Sequence, residues 1–266
     1  MSNNDEQLFS FWDHLEALRQ TLLRIVLVLV LLFVLVFSAK DFVFDTILLP
    51  PLRSDFWLYR SMCVLSEWLH FPALCPSDFQ IQLINIELSG QFMAHLSSSF
   101  GFAIALAVPF VLFEIWRFVQ PALYPNEKKS FSMIFLSASF LFYLGAAVSY
   151  FLIFPLTIRF LGTYELSADI PNQISIQSYL SALYILIFSL GIMFELPVLA
   201  FLLSKAGIIH REQLKMVRKY AFVIILIIAA LITPTTDPFT MMFVAMPVYL
   251  LYELSIVTAK KKKIEI

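Results

Sequence analysis

Among the side chains that can do chemistry, one carboxylate is placed where carboxylates are rare. Glu195 sits between Phe194 and Leu196 in a long apolar run from Tyr179 to Leu203, with Pro197 two residues on. At about 1.5 Å per residue, that run is long enough to cross the roughly 30 Å hydrocarbon core of a bilayer. A charge held there costs at least a few kcal/mol, so the acid must be neutralised, paired, or turned toward water or a partner. Pro197 lacks a backbone donor and kinks a helix, which frees a carbonyl beside the acid. Two readings stand open: a protonated acid bonded to a neighbouring helix, and a polar site that a partner or ligand uses.

Other reactive groups are sparse. His14, His70, His95 and His210 are scattered, there is no phosphate-cradling glycine loop, and no nucleophile stands beside a base in a motif. Enzymatic activity, a cofactor and a metal centre are therefore not expected. Cys63 and Cys75 lie twelve apart in one hydrophilic stretch. They offer at most a single disulfide, and only if that stretch faces an oxidising compartment.

The elements that must position Glu195 follow from composition. The 266 residues are 60% hydrophobic and 16% aromatic, with a mean hydropathy of +0.84. Soluble chains average roughly 45 to 50 per cent apolar, so this is an integral membrane protein of all-α class. No basic face or aromatic spacing suggests nucleic acid. The whole chain, 1–266, reads as one membrane domain with six helical spans at about 22–37, 96–118, 131–155, 179–203, 220–232 and 239–257. The first span is preceded by an amphipathic lead-in from Asp13 to Arg24, with Leu15, Leu18, Leu22 and Leu23 at helical spacing. A long hydrophilic loop, 39–95, separates the first two spans. The last two are short: 220–232 reaches only about 20 Å, so the closing pair is either tilted and buried or a site of bilayer thinning.

Charge orients the bundle. With the N-terminus in the cytoplasm, Arg19, Arg24, Arg117, Lys128, Lys129, Lys205, Arg211, Lys215, Arg218, Lys219 and the lysines 260–263 fall inside, 14 of the 18 basic residues. Only Lys40, Arg53, Arg60 and Arg159 fall outside. The positive-inside rule thus predicts six spans with both termini cytoplasmic and the cysteine loop on the far side.

Four stretches carry a family resemblance: HLEALRQTLLR (His14 to Arg24), FVQPALYPNEKK (Phe118 to Lys129), FELPV (Phe194 to Val198) and TPTTDPFTMMFVAMPVYLLYE (Thr233 to Glu253). In this order and register they resemble TatC, the multi-spanning subunit of the twin-arginine protein translocase. The resemblance implies a receptor for twin-arginine signal peptides in the cell inner membrane. With TatA- and TatB-type single-span partners, and by self-association in a larger complex, it would export folded proteins on the proton-motive force. Two positions depart from the family pattern. Ala17 stands where the family has an acid, the acid being one place earlier at Glu16, about 100° around the helix. Met241 follows Thr240 where a polar residue is common.

The resemblance also assigns roles. Glu127 matches the family's signal-binding acid, in the turn with Pro121, Leu123 and Tyr124, and a carboxylate there suits the planar, bidentate bonding of guanidinium groups. Leu18, Arg19 and Glu16 belong to the same cytoplasmic contact, Arg19 by ordering that surface or pairing with an acid. Glu195 and Pro197 would face a partner's membrane helix, since a neutral Glu both donates and accepts a hydrogen bond. Pro234, Asp237 and Thr240 mark an extracytoplasmic turn. The alternative function is a secondary transporter or ion channel that binds a proton or cation at Glu195.

Overall fold

The computed structural model describes residues 11–70, 75, 79, 81–119, 131–164, 167, 172–233 and 238–259. Ten α-helices are present among them, with two helical turns of other pitch ahead of α2 and one inside the third span. The order is α1 (Phe11–Ser38), a π-helical turn (Phe42–Leu48), a 3-10 turn (Pro50–Leu52), α2 (Trp57–Leu69), β1 (Leu83–Ile84) and α3 (Gly90–Val119). Then come α4 (Phe131–Val148), a π-helical segment (Ser149–Ile153), α5 (Phe154–Thr163), β2 (Ile174–Ser175), α6 (Ile176–Met193), α7 (Leu196–Lys205), α8 (Arg211–Met216), α9 (Arg218–Ile232) and α10 (Pro238–Thr258). The two strands pair in parallel, Leu83 with Ile174 and Ile84 with Ser175.

Five helical stretches are long and apolar enough to cross a membrane: Leu15–Ser38, Gly90–Phe118, Ile134–Thr163, Ile176–Lys205 and Thr240–Thr258. They cover five of the six expected spans. The remaining one, α9, has 15 residues, about 22 Å of helix, and stays below that length for the reason already visible in its sequence. The expected boundaries shift in three places. The lead-in and first span form one uninterrupted helix, α1. The third span runs past Pro155 to Thr163, because the wider π turn, closed by Phe154 N–H to Ser149 O, absorbs the proline's missing donor. The 39–95 stretch is partly helical, containing α2 and the start of α3.

The chain divides into two compact units, one from Met1–Ser38 with Ser99–Ser139 and one from Ala39–Ser98 with Phe140–Ile266. In the first, Ser99, Ala103, Ala107 and Glu114 recur at intervals of four and seven on α3 and are all buried, a stripe of small residues ending in an acid. The Phe113 and Phe135 rings meet edge to face at 5.7 Å.

In the second unit, tyrosines compensate for prolines. Pro51 cannot donate to Ile47, and the 3-10 bond from Leu52 N–H goes to Leu49 instead of Leu48, so two carbonyls lack helical donors. The Tyr150 hydroxyl donates to Ile47 O at 2.6 Å, and the Tyr179 hydroxyl donates to Leu48 O. Tyr59, from α2, donates to Pro51 O at 3.2 Å and Pro155 O at 2.8 Å. Its phenol is pushed well above its ordinary pKa by burial. Phe56, Leu58 and Tyr59 form a buried cluster with Met62, Phe79, Tyr150 and Leu156 packed on it.

Candidate functional site

Glu195 occupies a break in its span, just ahead of the proline expected to kink it. α6 stops at Met193, Phe194 and Glu195 form a turn, and α7 begins at Leu196 with Pro197 in its first turn, a position where a missing N–H costs nothing. The turn keeps helical bonds on both sides, Phe194 N–H to Leu190 O and Leu199 N–H to Glu195 O, both 2.9 Å. The Glu195 side chain is half-buried, and its Oε1, shielded from solvent, has no hydrogen-bond partner among the described residues. An unsatisfied acid oxygen in apolar surroundings is a standing acceptor, or when protonated a donor, for a polar group brought by another molecule.

What holds the break in place is close packing. A Cβ on Gly145 would come within 2.7 Å of Leu190 O and 2.8 Å of the Phe194 ring, and one on Gly191 within 2.6 Å of the Phe142 ring. Each glycine thus receives the opposing helix's phenylalanine. α10 closes another side, Thr258 Oγ1 lying 3.5 Å from Pro197 O. At its other flank α10 is tied to α8 and α9: Arg218 pairs with Glu253 at 2.7 Å, and Tyr252 donates to Leu214 O at 2.6 Å. This ion pair gives Glu253, at the end of the last motif, a specific partner.

The first unit holds a second polar site that sequence reasoning did not single out. The Glu114 side chain is 3% exposed, with Arg24 Nε 3.1 Å from its Oε2 and an Arg117 terminal nitrogen 3.8 Å from its Oε1. The Arg24 contact is close enough for an ion pair but lies off the line of a good hydrogen bond. Arg24 also reaches Thr21 Oγ1 at 3.4 Å. The available signal was an acid one helical turn before an arginine at the end of a span, with a second arginine at the matching end of the preceding span. Arg24 thus supplies the counter-charge to a buried acid.

Glu16, Leu18 and Arg19 share an exposed stretch of α1. Glu16 is held by Arg19 at 3.4 Å and by Gln20 Nε2 at 3.3 Å. An exposed pair of this kind is worth about 0 to 1 kcal/mol, so it opens easily for a ligand. Glu127, Pro121, Leu123 and Tyr124 lie outside the described residues, as do Pro234 and Asp237. Thr240 is buried near the start of α10. Cys63 and Cys75 are joined in a disulfide.

A helical chain with five membrane-length apolar stretches, a broken fourth one carrying a half-buried acid, and ion pairs near span ends is a multi-pass membrane protein. The family model described as TatC, Sec-independent protein translocase protein, matches residues 13–247. This chain belongs to the TatC family. It is 32% identical to the Sec-independent protein translocase protein TatC of Blattabacterium sp. subsp. Periplaneta americana (strain BPLAN), covering 95% of this chain and 96% of that one. It is 34% identical to the protein of the same name from Aquifex aeolicus (strain VF5), over 95% of this chain and 98% of that one. A solved structure described as the twin arginine translocase receptor TatC, in DDM, superposes with a TM-score of 0.73 at 31% identity, covering 93% of this chain and 99% of the other. A second structure of that description gives 0.68 at 30% identity, over 92% and 97%. The family is a component of a protein translocase, a transport subunit and not an enzyme. Membership displaces the secondary-transporter or ion-channel reading of the chain.

Proposed function

We propose that this chain is the receptor subunit of a twin-arginine translocase. In this reading it binds the paired arginines of signal peptides at its cytoplasmic surface, and with single-span TatA- and TatB-type partners it exports folded proteins on the proton-motive force. Both termini lie in the cytoplasm, α9 serves as a sixth, short span, and the membrane is the inner one. The observation that supports it best is the match over nearly the whole chain to solved structures described as the twin arginine translocase receptor.

Within that reading, Glu127, with Pro121, Leu123 and Tyr124, receives the arginines, because a carboxylate in a short polar turn offers the planar, charge-assisted bonding that guanidinium groups favour. Glu16, Leu18 and Arg19 complete the contact from α1. Glu195 and Pro197 form the docking point for a partner's membrane helix, where the shielded Oε1 takes a hydrogen bond that the bundle itself does not supply. Pro234, Asp237 and Thr240 form the turn on the extracytoplasmic side.

Glu127→Lys replaces pairing with repulsion. Crosslinking to a twin-arginine peptide should fall at least tenfold while the protein stays inserted, a loss equal to one charged hydrogen bond of about 1.5 to 3 kcal/mol. Unchanged crosslinking would remove Glu127 from the site. Glu195→Ala should alter complex size on native gels or slow transport, with peptide binding kept. Normal assembly and normal transport together would remove the partner contact.

A further inference from the structure

α2 lies in a stretch where a hydrophilic loop was expected, and it carries two apolar faces. Leu58 and Tyr59 are buried in the second unit's core with Met62 packed against them. On another side, Trp57, Ser61, Val64, Leu65 and Trp68 recur at intervals of four, three, one and three, a stripe along one face of the helix. Trp57 is 62% exposed, Val64 68% and Trp68 76%. The polar residues Arg60 and Glu67 flank this stripe. Cys63 points roughly 120° or more around the helix from Trp57, so the disulfide to Cys75 ties α2 down from a side that leaves the stripe open.

We infer that this stripe is a membrane anchor: α2 rests in the interface between headgroups and acyl chains, with Trp57 and Trp68 immersed and Arg60 and Glu67 at the water side. Its depth supports this. Trp57 meets the Phe151 ring edge to face at 6.3 Å, and Phe151 and the adjacent Leu152 are exposed residues of the membrane-length stretch Ile134–Thr163. The stripe is therefore continuous with the lipid-facing surface of a span. One turn beyond Phe151, Phe154 packs on Tyr179 at 5.1 Å, and Tyr179 is three residues inside the end of the stretch Ile176–Lys205. Phe151 thus sits about 9 Å in from that end and, twelve residues before Thr163, about 18 Å in from the end of its own stretch. Thirty residues of helix extend about 45 Å against a hydrocarbon core of about 30 Å, leaving about 7 Å beyond it at each end. Trp57 then falls between about 2 and 11 Å inside the boundary of the core, among the outer acyl carbons just beneath the aromatic belt of membrane proteins. Val64 and Trp68 lie on the same face, two and three turns further along the helix, and an amphipathic helix whose apolar face meets lipid lies in the interface plane.

The inference requires only that the long helices cross a bilayer, and it stands apart from the signal-peptide reading. The test uses the whole protein in phosphatidylcholine vesicles, with the disulfide intact, and phosphatidylcholines brominated at defined acyl positions as quenchers. Trp68 is isolated as the difference between the native protein and Trp68→Phe, which removes no buried side chain. Quenching of that difference signal by bromines near the ester end, at least twofold stronger than by bromines near the chain terminus, and weak quenching by aqueous iodide are expected. Strong iodide quenching with none from bromolipid would place the stripe in water and overturn the inference. Shielding from both quenchers would also overturn it, by showing that protein covers the stripe. Loss of peptide crosslinking with the bromolipid pattern retained would fault the receptor reading alone.

Discussion

Arg24 on α1 reaches the Glu114 carboxylate on α3 at 3.1 Å, and the acid is nearly enclosed while the arginine keeps 39% of its side chain in the open. The pair is asymmetric. Removing Arg24 leaves the buried acid only its longer, 3.8 Å contact with Arg117, whereas removing the acid leaves a cation that turns toward headgroups and water.

Arg24→Ala should therefore destabilise more than Glu114→Gln. A loss of about 2 to 4 kcal/mol is expected for the first and about 1 kcal/mol for the second, the neutral amide retaining shape and some hydrogen bonding. The double variant should be no worse than Arg24→Ala alone. Thermal unfolding of the detergent-solubilised protein, read as a double-mutant cycle, measures this; additive losses would show that the two side chains do not interact.

Gly145→Ala should cost about 1 to 3 kcal/mol, because the new methyl meets the Leu190 carbonyl oxygen at 2.7 Å, and a backbone atom cannot step aside cheaply. Gly191→Ala first meets the Phe142 ring, whose atoms are its nearest obstacles, so Phe142→Leu in the same chain should restore most of the loss. The same substitution should do little for Gly145→Ala. Equal rescue of both would mean that the two glycines do not face different obstacles.

Tyr59 supplies an alkaline limit. Burial raises its pKa in the folded protein above the unfolded value of about 10, so the folded state holds its proton more tightly. Its contribution is complete below about pH 10 and is lost progressively as pH rises above that value, where only the unfolded chain ionises freely. Tyr59→Phe should be less stable by about 1 to 3 kcal/mol at neutral pH, since Pro51 O and Pro155 O both lose its hydroxyl donor. It should also lose less stability than the native protein between pH 10 and 11. Parallel decline of the two over that interval would contradict the assignment.

Particular residues show what the sequence made legible. Glu195 was conspicuous because an acid in a 25-residue apolar run violates a strong solvation rule, and the positions of the spans followed from the same rule. Its setting in a break was not legible: Pro197 announces a disturbance, but the turn one residue ahead of it depends on Gly145 and Gly191 admitting opposing rings. Glu114 was not singled out because an acid near a span end, beside Arg117, reads as an ordinary interfacial residue, and only the approach of α1 to α3 gives it Arg24. The tyrosine bonds to Ile47, Leu48 and Pro51 span 8 to 131 residues of sequence and leave no periodic trace. α2 was hidden by its charges, Arg60 and Glu67, which lower the average hydropathy of a helix whose other faces are apolar.

The most direct measurement is site-specific photo-crosslinking from position 127 to a signal peptide carrying two arginines or, in a matched peptide, two lysines. Lysine keeps the charge but loses the planar bidentate geometry. A receptor for paired arginines should crosslink to the arginine peptide and lose about tenfold or more of that signal with the lysine peptide, the equivalent of about 1.4 kcal/mol. Equal crosslinking to the two peptides would contradict the account.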